Sequence, residues 1–199
     1  MPRSRKSDAA ITDAALAATL AAFIAAGKVP SGQITWEQGG RNLRFTVALE
    51  IDGVTEAGMA LFGRTSLALP DRNVTLGLSW DDPGMPGGNF DRLDWRPLRA
   101  HNNRGPGPDA HRFRLIEGTN HHRLAENGAL AMGLLRAIRE NLPVALPVEP
   151  EPPDWPAFLA VAAQRWNLHG LVHTPLPPWQ YDLLPIGEGE PSPRKGRKT

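Results

Sequence analysis

The stretch from Asp91 to His122 concentrates the side chains of this sequence that donate hydrogen bonds to anions. Four of the six histidines lie in it, together with a group of arginines and asparagines. We select as candidate ligand-binding residues Arg92, Arg96, Arg99, Asn102, Asn103, Arg112 and Arg114. Polar groups at this density lose free energy when they are buried unpaired, so each is expected to contact water, a polar neighbour or a ligand. The stretch therefore marks a candidate site.

Three of these histidines, His101, His111 and His121, recur every ten residues and are the candidate catalytic groups. Imidazole has an unperturbed pKa of about 6.5, so its protonated and neutral forms are both present near neutral pH. One histidine could act as general base and another as general acid, while Arg99 or Arg114 stabilises a pentavalent phosphorus centre. Residues of these types predict a phosphodiester-cleaving nuclease.

The same histidines, with Asp91 and Asp94, could instead hold zinc, manganese or iron. Metal ligands commonly show local spacing such as HxH or HxxxH, and neither pattern occurs in the stretch. The adjacent residues His121 and His122 would also point to opposite faces of a strand. The sequence therefore predicts no metal site and no cofactor.

Three functional hypotheses fit this stretch. The first is binding of an anionic partner, best matched by single-stranded nucleic acid, through the Arg/His/Asn-rich surface of residues 92–122. The second is cleavage of phosphodiesters at the same place. The third is a protein–protein interaction module without catalytic activity, in which Arg92 and Arg96 pair with nearby carboxylates and Asn102 and Asn103 close a turn. The sequence alone leaves all three open.

Composition excludes several classes of site. The chain of 199 residues has no cysteine, which rules out disulfides, thiolate metal sites and a cysteine nucleophile. It also lacks the Walker, GxGxxG, HExxH and GxSxG patterns, and prolines interrupt the glycine-rich segments DDPGMPGG and RGPGP. Because proline donates no amide hydrogen, these segments are poor phosphate-binding loops.

Charge is unevenly distributed along the chain. Residues 1–7 hold three basic side chains and residues 191–199 hold four, which leaves 15 basic and 21 acidic residues in the segment 8–190. We expect residues 1–7 and 186–199 to be disordered basic tails around a single domain at 8–185. Within that domain, a helix and an antiparallel meander run to about residue 122, and a helical, proline-rich part spans 123–185.

Hydrophobic periodicity predicts the first elements. One face of an N-terminal helix, which ends near Gly27, is formed by Leu16, Leu20, Phe23 and Ile24. Residues 43–51 alternate between apolar and polar side chains, as in a half-buried strand, and Asp52-Gly53 forms the following hairpin turn. A three-residue loop with a glycine bulge keeps the buried face apolar, because it pairs Leu49 with Ala57, Val47 with Met59 and Phe45 with Leu61.

Turn residues and periodicity predict the remaining elements. After a turn at 70–73, strands are predicted at 74–80, 90–98 and 110–116, with loops at 81–89 and 104–108. A helix is predicted at 129–140, followed by an extended, polyproline-like connector at 143–153. Asp154 is the expected N-cap of a final helix that Gly170 closes. The apolar stripe of this helix consists of Trp155, Phe158, Leu159, Ala162 and Trp166.

These elements predict an α+β fold, an antiparallel β-meander sheet with an N-terminal helix and C-terminal helices packed on one face. The apolar run near the N-terminus is alanine-rich and follows two aspartates, so we expect a first helix and not a signal peptide. No stretch has the roughly 20 apolar residues of a membrane span, and we expect a cytoplasmic protein without membrane contact. The layout of the body resembles small uncharacterised bacterial proteins associated with mobile elements. That resemblance rests on the order of elements, matches no motif and implies no function.

Overall fold

The computed structural model describes residues 12–82, 85–103 and 110–181 of the chain. The tails predicted at 1–7 and 186–199 and the loop predicted at 104–108 lie outside these residues. The helices are α1 (Asp13–Ala25), α2 (Leu124–Gly128), α3 (Leu134–Arg139) and α4 (Trp155–Trp166), and a 3-10 turn follows at Leu171–His173. The strands are β1 (Val29–Pro30), β2 (Glu37–Gly39), β3 (Asn42–Ile51), β4 (Val54–Ser66), β5 (Val74–Asp82), β6 (Met85–Trp95), β7 (His101–Asn102), β8 (Leu115–Ile116), β9 (Asn120–His122) and β10 (Leu146–Pro147).

The predicted α+β fold is confirmed, with one large antiparallel sheet at its centre. Eight strands form this sheet in the order β1-β3-β4-β5-β6-β9-β10, and β2 also pairs with β3. The strands β3 to β6 follow one another as the predicted meander, and β9 and β10 then extend the sheet beyond β6. β7 and β8 form a separate two-stranded ribbon.

The core lies on the sheet face that the alternation of residues 43–51 predicts to be apolar. Leu43, Phe45 and Leu49 of β3 are buried there. The predicted helix stripes complete the core: α1 buries Leu16, Leu20 and Phe23, and α4 buries Trp155, Phe158, Leu159, Ala162 and Trp166. The ring of Phe158 stacks on that of Trp95 from β6, with centroids 5.4 Å apart. Burial of such side chains, at about 1.5–3 kcal/mol each, holds the two helices on the sheet.

The helix α4 begins where predicted but ends earlier. Its N-cap is confirmed, because the Asp154 carboxylate accepts a hydrogen bond from the backbone N–H of Ala157 at 2.9 Å. The helix ends at Trp166, where Asn167 takes the left-handed conformation with φ of 47°. The predicted end at Gly170 is therefore wrong, and Gly170 instead precedes the 3-10 turn.

The predicted register of the β3–β4 hairpin is wrong. A two-residue turn at Asp52-Gly53 pairs Ile51 with Val54, and a shift further along then pairs Ala48 with Ala60, Val47 with Leu61 and Phe45 with Gly63. The extra residues belong to β4, where Gly58 has φ of 76° and a Cβ on it would collide with the carbonyl oxygen of Asp81. The bulge therefore permits the tight turn and an apolar buried face at once, which a single uniform register does not.

Three further predicted segments differ from the structure. Most of the loop predicted at 81–89 belongs to β5 and β6, where Gly88 pairs with Trp80. A Cβ on Gly88 would lie only 2.5 Å from the side chain of Ile138, so glycine is required for this close approach. The strand predicted at 110–116 is reduced to β8, because Phe113 takes φ of 58° in a turn. The helix predicted at 129–140 is reduced to α3, which Gly133 (φ 82°) precedes, and the connector at 143–153 includes β10.

Candidate active site

The face of the sheet opposite the core carries a buried polar cluster from the predicted site. Arg92, which is 5% exposed, places its Nε 3.1 Å from a carboxylate oxygen of Asp94. The other oxygen of Asp94 accepts a hydrogen bond from the hydroxyl of Thr75 at 2.7 Å. Arg92 Nη2 lies 2.7 Å from His122 Nε2. These donors of Arg92 are therefore directed to groups of the protein itself.

Burial and hydrogen bonding fix the charge states of this cluster. Burial lowers the pKa of His122, and the nearby charge of Arg92 acts in the same direction. The neutral ring donates from Nδ1 to the carbonyl of Leu142 at 2.6 Å and accepts from Arg92 at Nε2. For Asp94, burial alone would raise the pKa, but the guanidinium of Arg92 and the hydroxyl of Thr75 stabilise the carboxylate and hold the pKa below its usual range. At neutral pH the cluster is thus an Arg92–Asp94 ion pair beside a neutral imidazole.

Five consecutive residues, 141–145, each have main-chain atoms bound by a polar side chain, and we call this set of contacts the 141–145 clamp. The carbonyl contacts join Arg92 to Asn141 at 3.1 Å, His122 to Leu142 at 2.6 Å and His101 to Pro143 at 2.9 Å. Two asparagine amides each bind both the N–H and the carbonyl of one residue: Asn127 binds Val144 and Asn103 binds Ala145. The clamp thus completes hydrogen bonds of a segment that leads from α3 to the edge strand β10.

The three candidate catalytic histidines are not brought together. His101 packs against His122 on the outer face, with ring centroids 4.6 Å apart. His121 contacts Asp91, which lies opposite Leu78 on the core face. His111 lies in the turn before β8, where its carbonyl accepts from Asn103. The general acid–general base pair predicted from these histidines is therefore not assembled in the structure.

The remaining candidate ligand-binding residues divide into two groups. Arg96 packs over the Trp95 ring at 4.9 Å and donates to the carbonyl of Pro153 at 2.8 Å. The second group is exposed and lies on or beside the β7–β8 ribbon: Arg99, Asn102, Arg112 and Arg114. Phe113, between two of these arginines, is 74% exposed. The exposed residues of the predicted surface are thus found at the ribbon, whereas Arg92 and Asn103 are buried.

A cavity of about 340 Å³ lies on the core side of the sheet, next to α1 and α2. α1 provides an apolar wall of Ala17, Ala21 and Ile24, while α2 and its N-cap provide Arg123, Leu124, Ala125 and Gly128. Arg165 of α4 completes the lining together with Asp91 of β6 and His121 of β9. The α1 wall of the cavity is therefore apolar, and the rest of the lining contains four ionisable side chains.

Asp91 and His121 form a buried pair in the wall of this cavity, with side chains only 4% and 5% exposed. His121 Nε2 lies 2.5 Å from Asp91 Oδ1, which also accepts from the indole N–H of Trp166 at 2.8 Å. Asp91 Oδ2 accepts from the backbone N–H of Leu124 at 2.9 Å. Three hydrogen-bond donors from β9, α2 and α4 therefore converge on one carboxylate.

The other ring nitrogen of His121, Nδ1, is buried and has no hydrogen-bond partner among the described residues. With its proton on Nε2, donated to Asp91, the ring leaves the lone pair of Nδ1 unused. A carboxylate that orients an imidazole in this way fixes its tautomer and stabilises the imidazolium formed when the free nitrogen takes a proton. Such a pair can perform general acid–base chemistry.

The arginines give the cavity its electrostatic character. Arg123 forms an ion pair with Glu126 at 3.0 Å. Arg165 is exposed and forms no ion pair within the part of the chain that the structure describes. Because Glu126 offsets the charge of Arg123, Arg165 is the cationic side chain of the lining that can pair with an anionic group of a ligand.

Sequence reasoning selected His121 but missed Arg123, Arg165 and the role of Asp91 as the orienting carboxylate. A signal for Asp91 was present, because residues 91, 93 and 95 lie on one face of a strand and two of them are Leu93 and Trp95. An aspartate in line with core residues must find buried donors. No comparable pattern marks the arginines: Arg123 is the half-buried N-cap of α2, and Arg165 lies at an exposed position of α4.

Within residues 12–82, 85–103 and 110–181, no three histidine, aspartate or glutamate side chains gather as a bound metal ion requires. The helices described here are too short or too polar to cross a membrane. No family model, no curated protein and no solved structure matches the chain.

Proposed function

We propose that the protein binds a small anionic ligand in the cavity beside His121, and that His121 transfers a proton to or from it while Asp91 orients the ring. The observation that carries this proposal is the buried imidazole with Nε2 bound to Asp91 and Nδ1 left without a partner. A bound ligand completes the missing contact of Nδ1 in one of two ways. Either the ligand itself donates the proton that the ring removes, or a water held beside the ligand donates it and is thereby activated.

The cavity supports a ligand with one anionic and one apolar part. Its volume of about 340 Å³ falls in the range of small-molecule sites. Arg123 and Arg165 provide cationic donors for a phosphate or carboxylate, and the α1 wall accommodates an apolar group. None of the described lining residues carries a serine or threonine hydroxyl, so the nucleophile in a hydrolysis would be water. This version of the acid–base hypothesis uses one histidine and two arginines instead of a histidine pair.

The tautomer of His121 tests the arrangement without knowledge of the natural ligand. We expect nitrogen-detected NMR of the imidazoles to show His121 with its proton on Nε2 and an unprotonated Nδ1 at neutral pH. A proton on Nδ1 would contradict the proposal, because no lone pair would then be available there. His173→Gln, which removes an exposed histidine, serves to confirm assignments without disturbing the cavity.

Phenyl phosphate and its chromogenic p-nitrophenyl ester are suitable probes, since each joins an apolar ring to a phosphate. We expect calorimetric binding of phenyl phosphate to weaken by at least about tenfold in Arg165→Gln. Hydrolysis of p-nitrophenyl phosphate should fall by about 10²–10⁴-fold in His121→Gln, while His173→Gln retains wild-type rates. Wild-type protein that neither binds nor hydrolyses these probes, or a His121→Gln variant with unchanged turnover, would contradict a phosphate-directed acid–base role.

A second candidate function, binding of single-stranded nucleic acid, is favoured by one observation at the β7–β8 ribbon. Phe113 is 74% exposed and lies between Arg112 and Arg114, with exposed Arg99 also on this surface. Stacking of a base on an aromatic ring contributes about 1–3 kcal/mol, and arginines add contacts with phosphates. The interaction-module hypothesis would use the same exposed surface for a protein partner.

Anisotropy titration of a labelled single-stranded RNA at two salt concentrations tests this candidate. Phe113→Ala should weaken binding by about five- to hundredfold, whereas Leu176→Ala, which truncates another exposed apolar side chain, should not. The same titration with residues 8–190 separates the ribbon from the basic termini. Equal affinities of the wild type and Phe113→Ala would exclude stacking at the ribbon.

A further inference from the structure

Two arginines lie directly opposite each other on the outer face of the sheet. Arg44 of β3 pairs in register with Arg64 of β4, and Arg64 in turn pairs with Thr75 of β5. Like charges at facing positions of neighbouring strands destabilise a sheet. The position therefore needs a compensating anion from elsewhere in the protein or from a ligand.

Within the described chain, no carboxylate forms a direct ion pair with Arg44 or Arg64. Glu37 of β2 pairs in register with Arg44 from the other side, yet no ion pair joins the two side chains. Asp94, further along the same row, is held by Arg92 and Thr75. The charge of Arg64 reaches Arg92 as well, whose pKa is lowered by burial first and also by Arg64.

A groove of about 520 Å³ lies over this pair and is lined by hydrogen-bonding groups. The polar side chains of the lining that remain available besides the arginines are those of Asn42, Ser66 and Asn73, because the hydroxyl of Thr75 donates to Asp94 and that of Thr65 binds Trp179. No carboxylate belongs to the described lining of the groove. Guanidinium groups flanked by amide and hydroxyl donors form the type of surroundings that binds phosphate oxygens, which accept several charge-assisted hydrogen bonds at once.

We propose that Arg44 and Arg64 form a phosphate-binding site on the outer face of the sheet, separate from the His121 cavity on the opposite face. The phosphate relieves the repulsion between the two guanidinium groups and accepts hydrogen bonds from the groove. Its source is either a free phosphate monoester or the backbone of a nucleic acid, and the two make the same contact with the arginine pair.

Titrations of the full-length protein with inorganic phosphate, adenosine monophosphate and a single-stranded RNA test the proposal at low salt. Arg44→Gln and Arg64→Gln should each weaken phosphate binding by at least about tenfold. Arg139→Gln, which removes an exposed positive charge from α3, should leave affinity within about twofold of wild type. Hydrolysis of p-nitrophenyl phosphate, which the proposed function assigns to His121, should stay unchanged in the Arg44 and Arg64 variants, which separates this site from the proposed function.

The probes distinguish the source of the phosphate. RNA that binds much more tightly than the monophosphate, with a salt dependence that becomes shallower by about one unit of slope in each variant, identifies a polynucleotide backbone. Similar affinity for all three probes identifies a free phosphate group.

The melting temperatures of Arg44→Gln and Arg64→Gln should equal or exceed that of the wild type, because a repulsion is removed. Absence of wild-type binding to all three probes, or equal losses in Arg139→Gln, would overturn the proposal.

Discussion

Replacing Asp91 by alanine is expected to lower the free energy of unfolding by about 4 kcal/mol, because a buried donor left without an acceptor costs about 1–3 kcal/mol. Three donors lose their acceptor in this variant: the indole N–H of Trp166, the backbone N–H of Leu124 and Nε2 of His121. His121 can move its proton to Nδ1, which relieves one of the three. Urea unfolding followed by tryptophan fluorescence measures the change.

Two further variants make the Asp91 result specific. Asp91→Asn keeps one carbonyl oxygen but turns an NH₂ group toward existing donors, so we expect a loss of about 2 kcal/mol. Glu117→Ala removes an exposed carboxylate and should change stability by less than about 0.5 kcal/mol. A loss below about 1 kcal/mol in Asp91→Ala would mean that the three donors have other acceptors, and the orienting role of Asp91 for His121 would fall with it.

The elements that sequence periodicity predicts well are those in which packing follows the pattern directly. The stripes of α1 and α4 and the alternation of β3 and β5 are confirmed because each element buries one continuous face against the same core. The predicted β3–β4 register is wrong because a contact outside the hairpin decides the pairing. Gly58 approaches the main chain of Asp81 in β5, and no pattern within residues 43–61 contains that information.

Glycine-rich segments show a related limit of sequence reasoning. Gly87 and Gly88 suggest a loop by composition, but they lie in β6, where they leave space for the backbone around Trp80 and for Ile138. A glycine that permits a close approach and one that permits a turn are identical in sequence. Only the partner element, here α3, distinguishes them.

Sequence reasoning selected polar residues of this region, but not the partners that they have in the structure. Arg92, His101 and Asn103 were selected because their side chains donate to anions, and in the structure they bind carbonyl oxygens of residues 141–145. A carbonyl and a ligand oxygen satisfy the same donors, so composition cannot separate the two outcomes. His121 differs in that it binds the carboxylate of Asp91 and leaves a buried Nδ1 without a partner, and both facts require knowledge of the neighbouring atoms.

Replacing Lys28 by methionine is expected to lower the free energy of unfolding by about 3 kcal/mol, because buried main-chain acceptors lose a charged donor. Lys28 is 1% exposed, and its ammonium donates to the carbonyls of Ile24 and Ala26 at 2.9 and 2.7 Å and to that of Trp166. These carbonyls end α1 and α4, so one side chain satisfies the C-terminal ends of both helices. Methionine keeps the apolar stem of the side chain and removes only this donor.

The pH dependence of the Lys28 variant separates the loss of the ammonium from a loss of packing. Burial lowers the pKa of Lys28 from the ordinary value of 10.5 to about 8 in the folded protein. Between these two values the unfolded chain keeps the proton that the folded protein has released, so the free energy of unfolding of the wild type rises with pH. Lys28→Met has no such group, and the stability difference between wild type and variant should therefore widen from pH 8 to 10.5. Below pH 8 the difference should be constant, because the lysine is charged in both states. A difference that stays flat across this window would show that Lys28 is solvated in the folded protein and does not link the two helix ends, and one that narrows would contradict the lowered pKa.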